Sequence, residues 1–549
     1  MASSAVAFSS PAQLRAPGVG AFGGMLGAIA RTPTAVAAFV GRTLKGPVNR
    51  AVAIASFGEF QQLFGGLWQP STVSYAVEQF FENGGRHAFV VRVVNGARPP
   101  TLSLRAGLGE LRLRGINPGS REYLRASVDY DGIGAEESDL FNLVVQRLRV
   151  APSEQIEDQE IFRRVSVTAH AEHAINEVLL ESHLVRVLGA LPAERPDRSV
   201  HSPHAPVVDY VLSNPDGDDG AALTDYDVIG SALDGTGLFA LQATEGFNLL
   251  CIPPLDREQD VGLSTLMIAA RFCRERHAML LVDPPTAWTS ARVALDALRS
   301  WPFRSENAVM HFPRLTTFDR LRGRVEAFAP CGAVAGMLAR MDETWPVWAA
   351  AQSEDATLRA GSRPATAVTD SERVRLAQAG VNTLLAVRAP ALPCVTACTL
   401  AAGGGVSSDW KYLSARRLAL FINASIERGT RWLAFEQNSH GAWQLAREQT
   451  EAFLDALDVE GAFAGAAPEE SYFVICDERV NTPESVAQGK VKLLYGFALT
   501  RPCDFHASLV THQNGGSQVR TVTANRQATS QRRLEWEIET SILRGIIIT

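Results

Sequence analysis

Histidines gather in one part of this chain. Five of its eleven, His170, His173, His183, His201 and His204, fall in a single stretch containing His-Ala-Glu-His and His-Ser-Pro-His. Imidazoles are common zinc ligands, but neither cluster has the spacing of a helical zinc site, and surface histidines on a polar insertion account for them. Cys394 and Cys398 are three residues apart rather than the two of a Cys-x-x-Cys clamp, so an apolar strand running into a loop explains both. The acidic run Asn214 to Gly220 resembles a calcium loop, with Asp225 where a closing ligand would stand. Asp219, however, occupies the place where the sharp turn needs glycine, and a turn entering a domain is the simpler reading. Asp283, ahead of Pro284-Pro285, suits either a crevice site in an open α/β sheet or the end of a strand. No metal and no cofactor are assigned.

Nucleophilic catalysis would need a serine on a strained turn with a histidine and an acid in reach. The sequence has neither a Gly-x-Ser-x-Gly elbow nor such a setting around any serine. Gly18, Gly20 and Gly23 match Gly-x-Gly-x-x-Gly, but they follow Pro17 and no strand, so an extended arm is read there rather than a dinucleotide-binding unit. A phosphate-binding Gly-x-x-x-x-Gly-Lys-Ser/Thr loop is missing, and nucleotide hydrolysis has no support. What remains is a basic group, Arg416 and Arg417 with Lys411 and Arg431 nearby. Taken as residues alone, these read as a solvated polar face opposite the Leu418 stripe.

The elements that would position such groups follow from pattern and totals. At 549 residues the chain exceeds what one core supports, so two or more domains are expected. With a formal charge of −7 and scattered Lys and Arg, it presents no broad basic face, and nucleic acid is not an expected ligand. Seven cysteines, several inside apolar runs such as LLCIPP, fit reduced and buried thiols. No basic-then-apolar leader precedes residue 30, and the run Ala16 to Ala30 is broken by glycine and too short to span a bilayer. A cytoplasmic protein without membrane insertion is therefore expected.

Residues Thr34 to Gly66 read as two short strands about a turn and then a short helix. SYAVEQFFENGG is a helix stopped at Asn83-Gly84-Gly85, and HAFVVRVV is a strand. From Asn95 to Pro215 the chain turns arginine-rich and strand-like, with NEVLLESHLVRVLG as a helix; this is an inserted, more exposed domain. Beyond Gly220 the order strand, helix, strand, helix, strand (NLLCIP, LSTLMIAARFCRER, AMLLVDPP, TSARVALDALRSW, AVMHF) predicts a parallel sheet with right-handed crossovers. In the block from Trp410 to Val510, Leu418, Phe421, Ile422 and Ile426 form one helical stripe closed at Gly429 by a left-handed residue. Val491, Leu493, Tyr495, Phe497 and Leu499 then alternate, followed by a last, detachable strand with Phe505, Ala507 and Leu509.

Taken in order, FVGRTLKGPVN, FGEFQQLFGG, FFENGGRHAFVVRVV, GLFAL, FNLLCIP, LLVDPP, AGMLARMDETWPVWAAA, SSDWKYLSARRLALFINASIERGTRWLAFEQN, GAFAGAAPEESYFVICDERVNTPE and GFALTRPCDFHASLV resemble the contractile tail sheath proteins of bacteriophages, tailocins and contractile injection systems. The resemblance covers roughly Thr34 to Val510 apart from the insertion. Two places depart from it. RAPGVGAFGGMLGAIA stands where the family has an acidic extended strand, and the chain continues beyond Val510, with Leu534, Trp536 and Ile538 alternating with charged residues in a further strand or amphipathic attachment.

The resemblance implies an α/β fold with a subtilisin-like parallel-sheet core without a catalytic triad, a C-terminal α/β domain facing an inner tube, and extended arms; the β-rich inserted domain read from the pattern above stands beside these. The corresponding segments are 1–33 (arm), 34–95 (first part of the core), 96–220 (insertion), 221–395 (core), 396–504 (tube-facing domain) and 505–549 (C-terminal strand and extension). It also implies a non-enzymatic subunit that polymerises as stacked helical rings around a tube and contracts. Phe505, Ala507, Leu509 and Val510 would be exchanged between subunits, while Lys411, Arg416, Arg417 and Arg431 would face the tube. Partners would be other sheath subunits, the tube protein, baseplate and terminator or cap proteins, and a sheath-disassembly ATPase. The alternatives weighed against this are a subtilisin-like or other open α/β-sheet enzyme and a non-contractile capsid or tube component.

Overall fold

The computed structural model describes residues 27–149, 154–169, 171–199, 209–349, 357–359, 361–385, 397–404, 409–513 and 516–522. The apolar run after Thr34 forms strand β1 (Val36–Gly41), followed by β2 (Ala51–Ile54) and helix α1 (Phe57–Phe64). Ser56 starts α1 by accepting the Glu59 N–H, and the Glu59 carboxylate accepts the Ala55 N–H at 2.8 Å, so two otherwise orphaned donors are satisfied. Ser71 caps α2 (Thr72–Glu82) by accepting the Ser74 N–H, and β3 (His87–Arg92) follows. The two short strands expected about a turn do not pair with each other: β3 lies between them, parallel to β1 and antiparallel to β2.

The insertion is built from β4 (Thr101–Ala106), β5 (Gly109–Gly115), β6 (Tyr123–Asp129), β7 (Leu140–Arg149), β8 (Gln155–Ser166), α3 (Ile175–Val178), β9 (Val185–Val187) and β10 (Val211–Leu212). These form two antiparallel sheets, ordered β4-β5-β9 and β10-β6-β7-β8, around Leu102, Leu111, Leu113, Val128, Phe141 and Leu143. The segment NEVLLESHLVRVLG, expected as a helix, gives only the single turn α3. The Ser182 hydroxyl accepts the Leu184 and Val185 N–H groups, and Val185 to Val187 pair with β5, so long-range strand pairing overrides the local helical pattern.

Beyond the insertion come α4 (Asp225–Ile229), β11 (Leu249–Cys251), α5 (Leu263–Glu275), β12 (Met279–Val282), α6 (Ala291–Leu298) and β13 (Ala308–Phe312). The hairpin β14 (Leu315–Asp319) and β15 (Arg324–Phe328), helix α7 (Cys331–Thr344), β16 (Arg363–Pro364), α8 (Asp370–Gln378) and β17 (Val381–Thr383) complete this part. One seven-stranded sheet, ordered β17-β13-β12-β11-β1-β3-β2, gathers residues from both sides of the insertion, because β1 pairs with both β3 and β11. Every pairing in it is parallel except that of β2. Its strands read as continuous apolar runs because both faces are covered: Ala38, Leu250, Leu280 and Met310 belong to one buried cluster, and Ala37, Leu249, Leu281 and Val309 to another.

A second body follows: α9 (Leu413–Gly429), α10 (His440–Val459), α11 (Pro468–Ser471), β18 (Tyr472–Ile475), α12 (Pro483–Ala487), β19 (Val491–Ala498), β20 (Phe505–Gln513) and β21 (Gly516–Val522). Its sheet is antiparallel, in the order β18-β19-β20-β21. Leu418, Phe421, Ile422 and Ile426 of α9 pack with Val491, Leu493, Tyr495 and Phe497 of β19, as their periodicity implies. Leu413 and Leu420 of the same helix belong instead to a cluster of the parallel-sheet body, so α9 is shared by two cores.

Candidate assembly surface

The last strand expected to detach is an interior one. Residues Phe505, Ala507, Leu509 and Val510 lie on β20, which pairs along its length with β19 on one side (Leu493 opposite Val510, Ala498 opposite Phe505) and with β21 on the other (Val510 opposite Val519, Ala507 opposite Val522). Phe505, Ala507 and Val510 are buried and Leu509 is half-buried. This corrects the expectation of a free closing strand: an alternating strand with two apolar faces stays where both of its edges are paired. The edge strands of this sheet are β18 and β21, and β21 is formed by residues beyond the stretch of resemblance. Its outward residues Gln518 and Arg520 are exposed, and one side of its backbone has no strand beside it among the described residues.

Arginine placement on α9 is the second correction. Arg416 and Arg417, candidates for facing a tube, are both buried, 5% and 9% exposed. Arg416 donates to the Asn307 side-chain oxygen at 2.6 Å, pairs with Glu306 at 3.0 Å and lies 4.9 Å over the Trp410 ring; burial pulls its pKa down. Arg417 forms a two-pronged pair with Asp342 of α7, Nη1 to Oδ1 at 2.9 Å, and its Nη2 also donates to the Thr34 carbonyl. Both therefore bind α9 to the parallel-sheet body. The reason is that α9, up to Ile426, is covered on both sides: the surface opposite its apolar stripe meets the other core. Lys411 is half-buried, with its ammonium 4.9 Å from the Tyr412 ring. Arg431 is exposed and pairs with Glu245 at 2.7 Å, which holds that carboxyl below its usual range.

Sequence reasoning missed the segment leading into β1. Ile29 is buried against α9, Arg31 donates to Glu460 at 3.0 Å, and the Thr32 N–H donates to the Ser425 hydroxyl at 3.1 Å. Gly429 is not a left-handed cap; it ends α9 in helical conformation, and a Cβ there would lie 2.8 Å from Ile29. The glycine makes room for the incoming segment. No local signal set Ile29 apart from Phe22, Met25 and Leu26 in the same run.

Histidines fasten the second body internally and to the parallel-sheet body. His512 on β20 is fully buried. Thr430 donates its hydroxyl to the Ile426 carbonyl at 2.6 Å, so it accepts from His512 Nε2 at 2.8 Å, and His512 Nδ1 then accepts from the Ser517 hydroxyl at 2.7 Å. Burial, only partly opposed by Glu427, brings its pKa down to about 4. His277 and Glu427 pair at 2.9 Å between the end of α5 and α9, and His506 and Asp409 at 3.0 Å.

The remaining chemical candidates have structural work. Asp283 accepts the Cys331 N–H at 2.8 Å and so caps α7, while burial pushes its pKa up to about 6. Asp216, Asp218 and Asp219 of the acidic run accept from Thr101, Arg98 and Ser120, which fastens the exit of the insertion to its entrance. His173 and His183 are exposed, whereas His170, His201, His204 and Cys394 lie outside the described residues, as do Gly18, Gly20 and Gly23. Cys398 is buried, and burial pushes its thiol up to about 12. Among the described residues no group of three or more His, Cys, Asp or Glu could hold a metal ion, and no helix is long and apolar enough to cross a membrane.

No family model and no curated protein matches this chain. Solved structures do. The sheath tail protein Lin1278 from Listeria innocua is 12% identical, with a TM-score of 0.54, over 90% of this chain and 95% of that one. The sheath tail protein DSY3957 from Desulfitobacterium hafniense is 13% identical over 91% and 97% of the two chains, with a TM-score of 0.48. The helical sheath of the anti-feeding prophage in its contracted state is 17% identical over 89% and 97%, with a TM-score of 0.49. The likeness to Lin1278 is one of fold: a mixed α/β chain with a parallel sheet and several antiparallel ones, matched over nearly the whole of both proteins.

Proposed function

We propose that this chain is a structural, non-enzymatic sheath subunit that polymerises as stacked helical rings around an inner tube and contracts to drive the tube through a target envelope. The observation that carries this reading is the shared fold with a sheath tail protein over 90% of this chain and 95% of the other. The parallel-sheet body is read as a subtilisin-like domain used as a scaffold, since a topology acts as an enzyme only where a site is grafted on it.

Two features support assembly. The free edge of β21 offers backbone donors and acceptors to a strand from a neighbour, a link that satisfies hydrogen bonds while letting subunits rotate. Exchange is thus assigned to β21 and its flanks, with Phe505, Ala507, Leu509 and Val510 as the paired strand that supports it. Buried ion pairs along α9 hold the two bodies of one subunit together, so rearrangement falls between subunits and its free energy comes from repacked interfaces. Lys411 and Arg431 are the tube-facing candidates; Arg416 and Arg417 position the helix from within.

The partners are other sheath subunits, the tube protein, baseplate and terminator or cap proteins, and a disassembly ATPase; nucleic acid and membrane are not among them. The subunit is cytoplasmic before assembly and then part of a phage tail or injection particle. Negative-stain electron microscopy of the recombinant chain tests this. Tubular polysheath is expected, and protein that stays monomeric in all conditions and enters no contractile particle refutes the reading.

A further inference from the structure

The hairpin β14–β15 carries an apolar face that no described residue covers. Phe318 and Val325 stand opposite each other in its register, 57% and 66% exposed, and Leu321 in the turn is 47% exposed. This is not a loose loop. On the inner face Leu315 and Phe328 are buried, the Tyr75 ring lies 4.9 Å from that of Phe328, and Asp319 accepts from the Tyr75 hydroxyl at 3.1 Å and from Arg257 at 2.9 Å. A firmly held pair of strands showing three large apolar side chains to solvent marks a contact surface.

The geometry also states what the contact must look like. In the sheet ordered β15-β14-β16, β15 is an edge strand, so its outer backbone is free to pair. Apolar side chains lie on one face of that edge. Beside Glu326 on the other face stand three guanidinium groups, Arg257 at 3.0 Å, Arg322 at 3.1 Å and Arg324 at 2.6 Å. A strand laid against β15 therefore needs apolar residues on one face and acids on the other, in strict alternation. This chain holds such a segment: Leu534, Trp536 and Ile538 alternate with Glu535, Glu537 and Glu539, outside the described residues.

We propose that residues 534–539 of one copy add as a strand to the free edge of β15 in a neighbouring copy, an inference that rests on the sheath reading. Leu534, Trp536 and Ile538 then extend the row of Phe318 and Val325, and the glutamates meet Arg322 and Arg324. The free edge of β21 fits this segment less well, offering one guanidinium, Arg520, and no largely exposed apolar side chain. Residues 523–533 reach roughly 35–40 Å when extended, enough to leave the parent subunit. A segment that docks on a different patch of the next copy makes a heterologous contact, which propagates into rings or helices.

Full-length chains carrying Ala327→Cys or Thr540→Cys, mixed before assembly and treated with a flexible bifunctional thiol reagent, test the contact. The mixture is expected to give a covalent dimer on denaturing gels above the background of wild type and of either variant alone. Adding Arg322→Glu and Arg324→Glu should lower the dimer yield about tenfold, and Glu535→Arg with Glu537→Arg in the other copy should restore it. Polymers that form without a mixed dimer overturn the inference and leave the sheath reading standing. A cross-link found only inside a doubly substituted chain overturns the assignment to a neighbour. A wild-type chain that forms no polymer refutes the sheath reading, and this inference with it.

Discussion

Replacing Arg417 by Met asks whether this arginine faces a partner or holds the subunit together. Its side chain is 9% exposed and that of Asp342 is 4% exposed, so the pair is removed from water on both sides. Truncating one member leaves the other as an uncompensated buried charge, which costs about 3–5 kcal/mol, whereas replacing both with apolar groups of similar volume is near neutral. Arg417→Met should therefore lower the unfolding midpoint of the unpolymerised chain by roughly 5–15 °C, and Arg417→Met with Asp342→Leu should recover most of that loss. Differential scanning calorimetry on the two single variants and the double variant gives the cycle directly. The lost contact to the Thr34 carbonyl, charge-assisted but long at 3.4 Å, adds about 1 kcal/mol, which the double variant does not restore. If Arg417→Met melts within 1–2 °C of wild type but weakens binding of a tube protein, the assignment to intrachain locking is wrong.

Other outcomes follow from the same structure. Truncation after Gln513 removes β21 and should leave folded protein that no longer polymerises, whereas truncation after Asp504 also strips the apolar faces of β20 from β19 and should give aggregates; circular dichroism and sedimentation separate the two. His311 and His512 are both held to about 4 by burial, below the ordinary histidine value of about 6.5. The unfolded chain therefore binds more protons between those values, and stability that is complete above about pH 6.5 falls as pH drops toward 4, by up to ~3 kcal/mol for each histidine. His512→Gln should flatten that slope in melts from pH 4 to 7, and an unchanged slope would count against the assignment. Asp283, raised to about 6, acts in the opposite sense, losing stability as pH rises from about 4 through 6, so Asp283→Asn should be most favourable near neutral pH. Gly429→Ala gains about 1 kcal/mol of helix propensity but places its methyl against Ile29, so net destabilisation, with faster proteolysis before Val36, is expected.

Much of the architecture was legible. Alternation and 3.6-residue periodicity located β3, α2, β11, α5, β12, α6 and β13, because each of these buries a face or a whole run against one neighbour. The resemblance to sheath proteins rested on short pieces in fixed order, and the shared fold spans the chain at 12% identity, where no single piece would have been decisive. The segment Asn176 to Gly189 misled, since its helical spacing lost to strand pairing with β5.

The sequence by itself determined which residues are apolar, how often they recur, and hence which elements form. Only the tertiary structure decided what stands on the other side of each element. A pattern records whether a face is polar, but not whether water or a buried partner satisfies it. Arg416 and Arg417 met Glu306 and Asp342 because α9 lies between two cores. Alternation likewise reports the faces of a strand but not its edges, which carry the same backbone groups in every strand. Whether Phe505 to Val510 was a free end or an inner strand therefore depended on β21, whose pairing no local pattern encodes.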